Sequence, residues 1–221
     1  MSDKITLTLV CDFGGSLNTF CSECLGSGKT LNIFGGGFTW SDFKFDYEDH
    51  GTGGTLQISN VVLFTDSIDD YAIYSKNTKT YLSDVTIDGY SGRSGETGGG
   101  AMRIRGADYC GDSVPSLTRV TAQNNCRGFR IQDSDCVRVE DSIAINNTDN
   151  SFYFASETYT STSGCTNSIF KNCSATNSGN TAFMFIGGSN LTIEDCTIDT
   201  SRGAGVMVFE INSDAYVKST T

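Results

Sequence analysis

Apolar residues recur along this chain at steps of two, and the same short pattern returns six times. In each pattern the second apolar position lies two residues after the first, the third lies three residues later, and the fourth lies two residues beyond that. Steps of two place side chains on alternate faces of a strand, and the three-residue step indicates a bend between two short strands. The second position is held in turn by Ile58, Leu82, Leu117, Val139, Phe170 and Ile193.

The spacing of these patterns predicts a solenoid. They begin at intervals of 22 to 35 residues, and another short apolar or aromatic segment follows each one, as at 129–131 and 183–185. In a solenoid each repeat buries its apolar face only against its neighbours, so equivalent residues must stack in continuous columns. We therefore expect coils of three short strands.

A turn is predicted between the second and third strand of each coil. The equivalent turn positions are Thr65, Gly89, Asn124, Asn146, Asn177 and Thr200. Gly and Asn accept the left-handed backbone conformation that a sharp turn needs. Stacked Asn side chains can also hydrogen-bond from coil to coil. The pattern predicts an Asn/Thr/Gly ladder along one corner.

This arrangement resembles the right-handed parallel β-helix of the pectate-lyase-like superfold, well over residues 54–213 and loosely over 29–50. The resemblance implies an all-β, single-domain, right-handed parallel β-helix of about seven to eight coils. We expect an N-terminal cap and first coil in residues 1–28, the β-helix in 29–213, and a short C-terminal tail in 214–221. Many unrelated activities share this scaffold, so the fold does not determine the function.

Charge and composition narrow the classes of partner. The 26 acidic residues outnumber the 15 basic ones and give a net charge of −11, which argues against a nucleic-acid partner. No stretch approaches the ~20 apolar residues that cross a bilayer, so membrane insertion is not expected. Residues 1–4 contain no run of signal-peptide type, yet the fold favours an extracellular, cell-surface or virion location.

The nine cysteines divide into groups. Three lie in loops between a third strand and the next coil and are placed to form a disulfide: Cys110, Cys136 and Cys165. Cys173 and Cys196 share an inward column, which favours small apolar core residues. The Cys21–Cys24 pair lacks the second ligand pair of a zinc site, so no metal site is predicted there.

The third strand carries the strongest candidate chemistry. One outward column contains Arg103, Arg130, Tyr153, Met184 and Met207, and its companion contains Arg105, Gln132, Ala155, Ile186 and Phe209. Like charges stacked across strands repel unless an anion lies between them. We therefore predict a site for a carboxylated or sulfated sugar, with Tyr153 as a stacking platform. The alternative is that the arginines pair with Asp108, Asp112, Asp133 or Asp135.

Three long loops, 90–100, 106–115 and 155–164, lie around this column, as is typical of a site. The catalytic candidates are Arg103, Arg130, Tyr153 and Asp133. The substrate-binding candidates are Arg105, Gln132, Tyr109, Asp108, Asp135, Glu157 and Tyr159. No cofactor is required by the sequence, but the resemblance leaves a Ca²⁺ ion open, since uronate lyases and epimerases of this superfold often use one.

The apolar half of the third-strand columns is expected to be shielded from water. Met184, Ile186, Met207 and Phe209 would together form a large patch that water disfavours. We expect the C-terminal tail or a second copy of the chain to cover it, and an apolar ligand is the third alternative. A homo-oligomer built on this face is therefore a prediction.

The first strand offers a second outward column: Ser83, Thr118, Glu140, Lys171 and Glu194. In the pectate-lyase-like enzymes the polymer groove generally lies along this face. The paired Asp motif of polygalacturonases and the Tyr-Gly…Asp-Pro-His-Asp run of alginate epimerases are both absent from this sequence.

Two classes of function therefore stay open. The first is a carbohydrate-active β-helix that binds an acidic polysaccharide and cleaves or modifies it by lyase, epimerase or hydrolase chemistry. The second is a non-catalytic structural or adhesive β-helix of a fibre, a surface or a virion. The sequence leaves open whether the protein is an enzyme, and which glycan it takes.

Overall fold

The computed structural model describes residues 4–8, 18–21, 29–48, 54–66, 70–91, 99–156, 165–209, 215–218 and 221. All regular elements in these ranges are β-strands. No helix in the described ranges has the length and apolarity needed to cross a membrane.

The strands follow one another in three groups. The first group is β1 (Lys4–Thr8), β2 (Asn18–Cys21), β3 (Thr30–Phe34), β4 (Thr39–Ser41) and β5 (Phe43–Glu48). The second is β6 (Gly54–Phe64), β7 (Tyr71–Lys76), β8 (Thr78–Asp88), β9 (Gly100–Arg105), β10 (Leu117–Gln123) and β11 (Phe129–Gln132). The third is β12 (Arg138–Glu140), β13 (Ile143–Ile145), β14 (Phe152–Ala155), β15 (Ile169–Lys171), β16 (Ser174–Ser178), β17 (Phe183–Ile186), β18 (Leu191–Glu194), β19 (Thr197–Ser201), β20 (Val206–Phe209) and β21 (Ala215–Lys218).

These strands stack into two parallel sheets. The first sheet runs β1-β3-β6-β8-β10-β12-β15-β18-β21, with β4 beside β6 and with β13, β16 and β19 following from β10. The second sheet runs β2-β5-β7-β9-β11-β14-β17-β20. Each coil contributes one strand to the ordered path of each sheet. The first sheet has nine strands along that path and the second has eight, compared with the predicted seven to eight coils. The prediction of an all-β parallel β-helix is confirmed.

The predicted inner column exists as one continuous stack. The strand register pairs its members in order: Ile58, Leu82, Leu117, Val139, Phe170 and Ile193. None of them is more than 2% exposed. Burying a large apolar side chain contributes roughly 1.5–3 kcal/mol, so this column is a principal source of stability. The register also places β21 beside β18, within the predicted tail.

Aromatic rings fill the other side of the core. The rings of Phe129, Phe152 and Phe183 stack with centroids 4.6 Å apart, one from each of three successive third strands. Phe170 of the first sheet meets Phe154 edge-on at 4.4 Å, so the two sheets interlock at this level.

A left-handed residue forms each bend that the three-residue step predicted. Positive φ angles between 51° and 57° occur at Asn60, Asp84, Arg119, Asp141, Asn172 and Asp195. Asn and Asp visit this region more readily than other non-glycine residues. Arg119 alone among these six lacks that preference.

The predicted turn ladder is confirmed along the corner after the second segment. The Asn146 side-chain amide donates to Asn124 Oδ1 at 3.3 Å, and that of Asn177 donates to Asn146 Oδ1 at 2.9 Å. Gly89 takes φ +86° in this column, and a Cβ there would collide with the carbonyl oxygen of Thr65.

A second Asn ladder lies inside the core, one residue further along the chain. Asn125 accepts from Tyr90 N through its Oδ1 at 3.0 Å, and its own N–H donates to Asn147 Oδ1 at 3.1 Å. Both side chains are buried. These hydrogen bonds offset the free-energy cost of burying the two side-chain amides, because they satisfy backbone groups at the turn.

The cysteines fall as two kinds. Cys110 and Cys136 form a disulfide, so two of the three predicted loop cysteines pair. Cys165 is instead a buried thiol whose pKa burial raises to about 12. Cys173 and Cys196 are stacked and buried, as expected of core residues. Cys24 of the CxxC pair lies outside the described residues.

The inner column yields a direct test of stability. Phe170→Ala should lower the free energy of unfolding by about 3–5 kcal/mol, because it opens a cavity among four phenylalanine rings. Urea denaturation measures the change. The control is Lys171→Ala, whose side chain faces outward from the same strand and should shift stability by no more than about 0.5 kcal/mol. Equal losses in the two variants would contradict the inward assignment.

Candidate functional site

The outer face of the second sheet carries the predicted columns. One row contains Tyr74, Arg103, Arg130, Tyr153 and Met184, and the next contains Lys76, Arg105, Gln132, Ala155 and Ile186. We call the residues Tyr74, Arg103, Arg105, Arg130 and Tyr153 the arginine face. Parallel pairing sets its side chains about 4.8 Å apart from coil to coil. The structure therefore brings together three of the four catalytic candidates.

Arg103 lies half-buried at the centre of the arginine face. Its Nε donates to Gln132 Oε1 at 2.9 Å, and its guanidinium lies 5.7 Å from the centre of the Tyr74 ring. Burial lowers the pKa of Arg103, and the positive charges of Arg130 and Arg105 lower it further. Tyr71 and Tyr74 act on the pKa of Arg103 in the opposite direction, so they offset part of the like-charge repulsion that the sequence predicts.

Arg130 is held more deeply than the sequence suggested. It is 7% exposed, its Nη1 donates to the Tyr71 hydroxyl at 3.0 Å, and its guanidinium lies 5.5 Å from the centre of the Tyr153 ring. Tyr71 also accepts from Arg127, which pairs with Asp149 at 2.8 Å. The Tyr153 ring, 7% exposed, thus packs against an arginine instead of forming an open platform.

The apolar half of this face is partly covered within a single chain. Tyr153, Ala155 and Ile186 form a small buried cluster with Met184 packed beside it. The side chains of Met207 and Phe209 lie outside the described residues. Ile186 needs no second subunit to be buried, and association through this face stays a prediction.

The four aspartates that might neutralise the arginines have different partners. Asp112 pairs with Lys79 at 2.8 Å, and Asp108 Oδ1 accepts from Cys110 N at 2.8 Å. Asp135 accepts from the backbone N–H and the hydroxyl of Thr166. The positive charge of Arg105, on this face, favours the ionised form of Asp133.

Asp133 has the perturbed acidity of a candidate proton carrier. Burial raises its pKa above the ordinary value, and the attraction of Arg105 opposes that rise only in part. Asp133 follows β11 directly and sits at a left-handed bend with φ 46°. The carboxyl therefore lies at the edge of the arginine face.

The remaining predicted residues are placed differently. Tyr109 is 3% exposed, and its hydroxyl donates to Thr80 O at 3.1 Å and accepts from Thr80 N at 2.9 Å. Its buried position does not support contact with a substrate, because the loop after β9 folds this ring inward. Glu157 and Tyr159 lie outside the described residues.

A groove lies on the outer face of the first sheet, along the outward first-strand column that contains Ser83 and Thr118. It has a volume of about 300 Å³ and is formed by β6, β8, the start of β10 and the loop before it. Asp112 holds this loop down by accepting from Lys79 and from the Tyr81 hydroxyl, the latter at 2.6 Å. The outward column of the first strand was visible in sequence, but the long-range contact of Asp112 was not.

The electrostatics of this contact favour a charged Asp112. Burial disfavours its carboxylate, but the hydrogen bonds from Lys79 and Tyr81 outweigh burial and hold its pKa below the ordinary value. Burial and the neighbouring Asp112 raise the pKa of Tyr81, so its phenol stays protonated and donates.

Metal ligands do not cluster in the part of the chain that the structure describes. No group of three or more His, Cys, Asp or Glu side chains there is arranged to hold a metal ion. A Ca²⁺ ion stays a prediction of the sequence.

Comparison with known proteins supports the fold. A family model described as a right handed beta helix region matches residues 111–221, which is half of the chain. No curated protein and no solved structure matches the chain. The matched half begins just before β10 and includes the disulfide-bonded Cys136 and the second half of the arginine face.

The Asp112 contact predicts a pH-dependent loss of stability. Asp112→Asn should lower the free energy of unfolding by about 0.5–1 kcal/mol at pH 7, since the partly exposed charge pair with Lys79 is lost. The pKa of Asp112 is lowered in the fold from 3.8, so this contribution is present above that pH and disappears as pH falls through the folded value. Thermal unfolding at several pH values measures it. A difference that persists at the lowest pH would contradict the ionic origin.

Proposed function

This chain belongs to the right-handed β-helix family, and we propose that its arginine face binds an acidic polysaccharide. The observation that carries the proposal is the position of Arg103, which lies two residues before Arg105 on β9 and opposite Arg130 on β11. Burial and two neighbouring arginines disfavour its charge. A carboxylated or sulfated sugar placed against these guanidiniums would relieve the repulsion and form charge-assisted, bidentate hydrogen bonds.

The regular spacing of the coils suits a linear polymer. Equivalent side chains repeat at about 4.8 Å along the axis of the stack, so a chain of sugars lying along it meets several coils in turn. Arg103 and Arg105 are half-buried and retain exposed surface, whereas Arg130 is fixed against Tyr71. The first two are therefore the residues that contact the glycan, and Arg130 supports them.

We assign to Asp133 the removal of the proton on C5 of a uronate. In a lyase the electron pair left behind forms the C4–C5 double bond while the C4–O bond breaks, and the departing oxygen takes a proton from water. If the glycan is a uronate, an arginine that neutralises its carboxylate makes the neighbouring C–H bond more acidic. A carboxyl whose pKa burial raises is a stronger base than an ordinary aspartate once it is ionised. This arrangement favours lyase or epimerase chemistry over hydrolysis, which needs two carboxyl groups on opposite sides of one bond.

The second candidate is a non-catalytic scaffold. It is favoured by the fixed Tyr71–Arg127–Arg130 network and by the small apolar cluster around Ile186, both of which have the character of internal packing. In that case the rigid stack itself is the function, as in a fibre, surface or virion component. Association through Met184, Ile186, Met207 and Phe209 belongs to this candidate.

Binding is tested with Arg103→Ala. Retention on immobilised polygalacturonate, alginate or chondroitin sulfate should fall about tenfold or more in affinity, equivalent to about 1.4 kcal/mol. Retention of the unaltered protein should also weaken as salt screens the charges. Thermal stability should fall by only about 1 kcal/mol, the cost of removing the donor to the buried Gln132 Oε1, and the variant should stay folded.

The matched control is Arg202→Ala, which removes an exposed arginine from a turn between β19 and β20. It should bind as the unaltered protein does. Arg130→Ala is a poor choice, since it leaves the buried Tyr71 hydroxyl without one of its donors. If Arg103→Ala and Arg202→Ala bind equally well, the arginine face is not the site.

Catalysis is tested with Asp133→Asn. The unaltered protein should release unsaturated products from a uronate polymer, followed by ultraviolet absorbance and reducing ends with and without Ca²⁺. The rate should rise with pH through the raised pKa of Asp133, because the base must be ionised. Asp133→Asn should abolish turnover and keep glycan retention. Absence of product from every acidic glycan would leave the scaffold candidate.

A further inference from the structure

Two cysteine thiols lie side by side in the core, where the chain bends between the first and second strands of a coil. Cys173 directly precedes β16, and Cys196 directly precedes β19. The register places them opposite one another, because the residues before and after each are paired across β15–β18 and β16–β19. Both are free thiols, and each is 1% exposed. Neither of the functions proposed above uses this pair.

The separation of the two residues suits a disulfide. Opposite residues of neighbouring parallel strands lie about 4.8 Å apart, and disulfides join Cα atoms that are roughly 4.4–6.8 Å apart. This chain already has one disulfide between neighbouring coils, Cys110–Cys136, with a Cα–Cα distance of 5.0 Å. The Cys196 sulfur also accepts from the Cys173 backbone N–H at 3.4 Å. The two sulfurs can therefore be joined while the register of the coils is kept.

The column that holds the pair is filled differently in the preceding coils. Its members there are three valines and a serine: Val61, Val85, Val120 and Ser142. Valine at this position packs the bend in three coils, so packing alone does not require sulfur. The two cysteines occupy adjacent coils, which is the arrangement that brings one sulfur against the other.

The hydrogen bonds give the two sulfurs different reactivity. The Cys173 thiol donates to the Cys196 sulfur, which lowers the pKa of Cys196 and raises that of Cys173. Burial opposes the lowering at Cys196 only in part, and the Cys173 backbone N–H favours the Cys196 thiolate further. The thiolate is the nucleophilic form of cysteine. Cys196 is therefore the sulfur that attacks an oxidant, and Cys173 is the one that resolves the product.

The coil that carries Cys196 is less tightly covered than the coils before it. Ile198 and Val206, at inward positions of this coil, are only partly buried. The inner column continues from Ile193, which is 0% exposed, to Val217, which is 48% exposed. Segments with few buried contacts open locally before the rest of a domain. A small oxidant reaches the Cys196 sulfur when this coil opens.

We propose that Cys173 and Cys196 form a site of reversible oxidation, at which a peroxide converts the two thiols into a disulfide that fastens one coil to the next. The Cys196 sulfur attacks one oxygen of hydrogen peroxide and the O–O bond breaks. The other oxygen leaves as water with the Cys196 proton, and the sulfur becomes a sulfenic acid. The Cys173 sulfur then forms the S–S bond, and the hydroxyl leaves with the Cys173 proton as a second water. The two sulfurs lose two electrons, which the peroxide gains, and a thiol reductant reverses the reaction.

The disulfide restrains the coil that opens most readily. The Thr197 N–H donates to Cys173 O at 2.9 Å, so this hydrogen bond joins the same two coils beside the pair. Opening of the coil breaks the hydrogen bond, and a covalent bond between the sulfurs opposes that opening. The inference does not depend on the arginine face or on the acidic-glycan proposal.

The experiment treats the full chain with hydrogen peroxide, blocks the remaining thiols and maps the disulfides of a digest by mass spectrometry. A peptide pair linked through Cys173 and Cys196 should appear, and dithiothreitol should remove it. Hydrogen exchange at the Thr197 amide should become roughly tenfold slower in the linked protein. Cys196→Val should stay folded, since valine occupies this column in three other coils, and peroxide should leave its exchange at Thr197 unchanged.

Cys165 is the matched control within the same digest. It is also 1% exposed, but its thiol contacts the carbonyl oxygens of Ile131 and Ala155, and burial raises its pKa to about 12. It should stay reduced at the peroxide dose that links the pair. Absence of the Cys173–Cys196 link, unchanged exchange at Thr197 in the linked protein, or equally fast oxidation of Cys165 would overturn the inference. Glycan retention enters none of these readouts, so the two proposals fail independently.

Discussion

The parallel hydrogen-bonded ladder is the constraint on which the whole structure depends. Each coil lies about 4.8 Å above the last, and every described pairing keeps equivalent residues opposite one another. All side chains of one column therefore point the same way, either into the core or out of it. This is why one buried stack can run from Ile58 to Ile193, and why the corners must absorb all the change of direction. Left-handed residues at the bends are the consequence.

Much of the fold could be predicted from the sequence because the inward columns are apolar in nearly every coil. The step of three between Leu117 and Val120 becomes the bend at Arg119, and Asn124, Asn146 and Asn177 form the expected ladder. The buried ladder of Asn125 and Asn147 was not predicted, since adjacent asparagines look alike in sequence. Only the turn geometry decides which of the two points inward.

The candidate site was predicted less well, for a reason that lies in the outward positions. Alternation shows that Arg130 and Tyr153 leave the inner core, but it does not show whether other groups cover them. The contact that fixes Arg130 joins it to Tyr71, 59 residues earlier. Tyr109 was misjudged for the same reason, because its hydroxyl binds Thr80, 29 residues away. Contacts of this length leave no periodic trace.

The insertions explain how the same stack can hold two faces of different character. Register is set by the inner columns, and closing a longer loop costs little additional entropy, so residues can be added between strands without disturbing the ladder. The segment between β9 and β10 is such an insertion, and it carries Tyr109, Cys110 and Asp112. Its disulfide to Cys136 and its charge pair with Lys79 fix it over the first sheet. The insertion thus forms a groove wall in which Asp112 is paired with Lys79. The strand that precedes the insertion, β9, contributes Arg103 and Arg105 to the positively charged face on the second sheet.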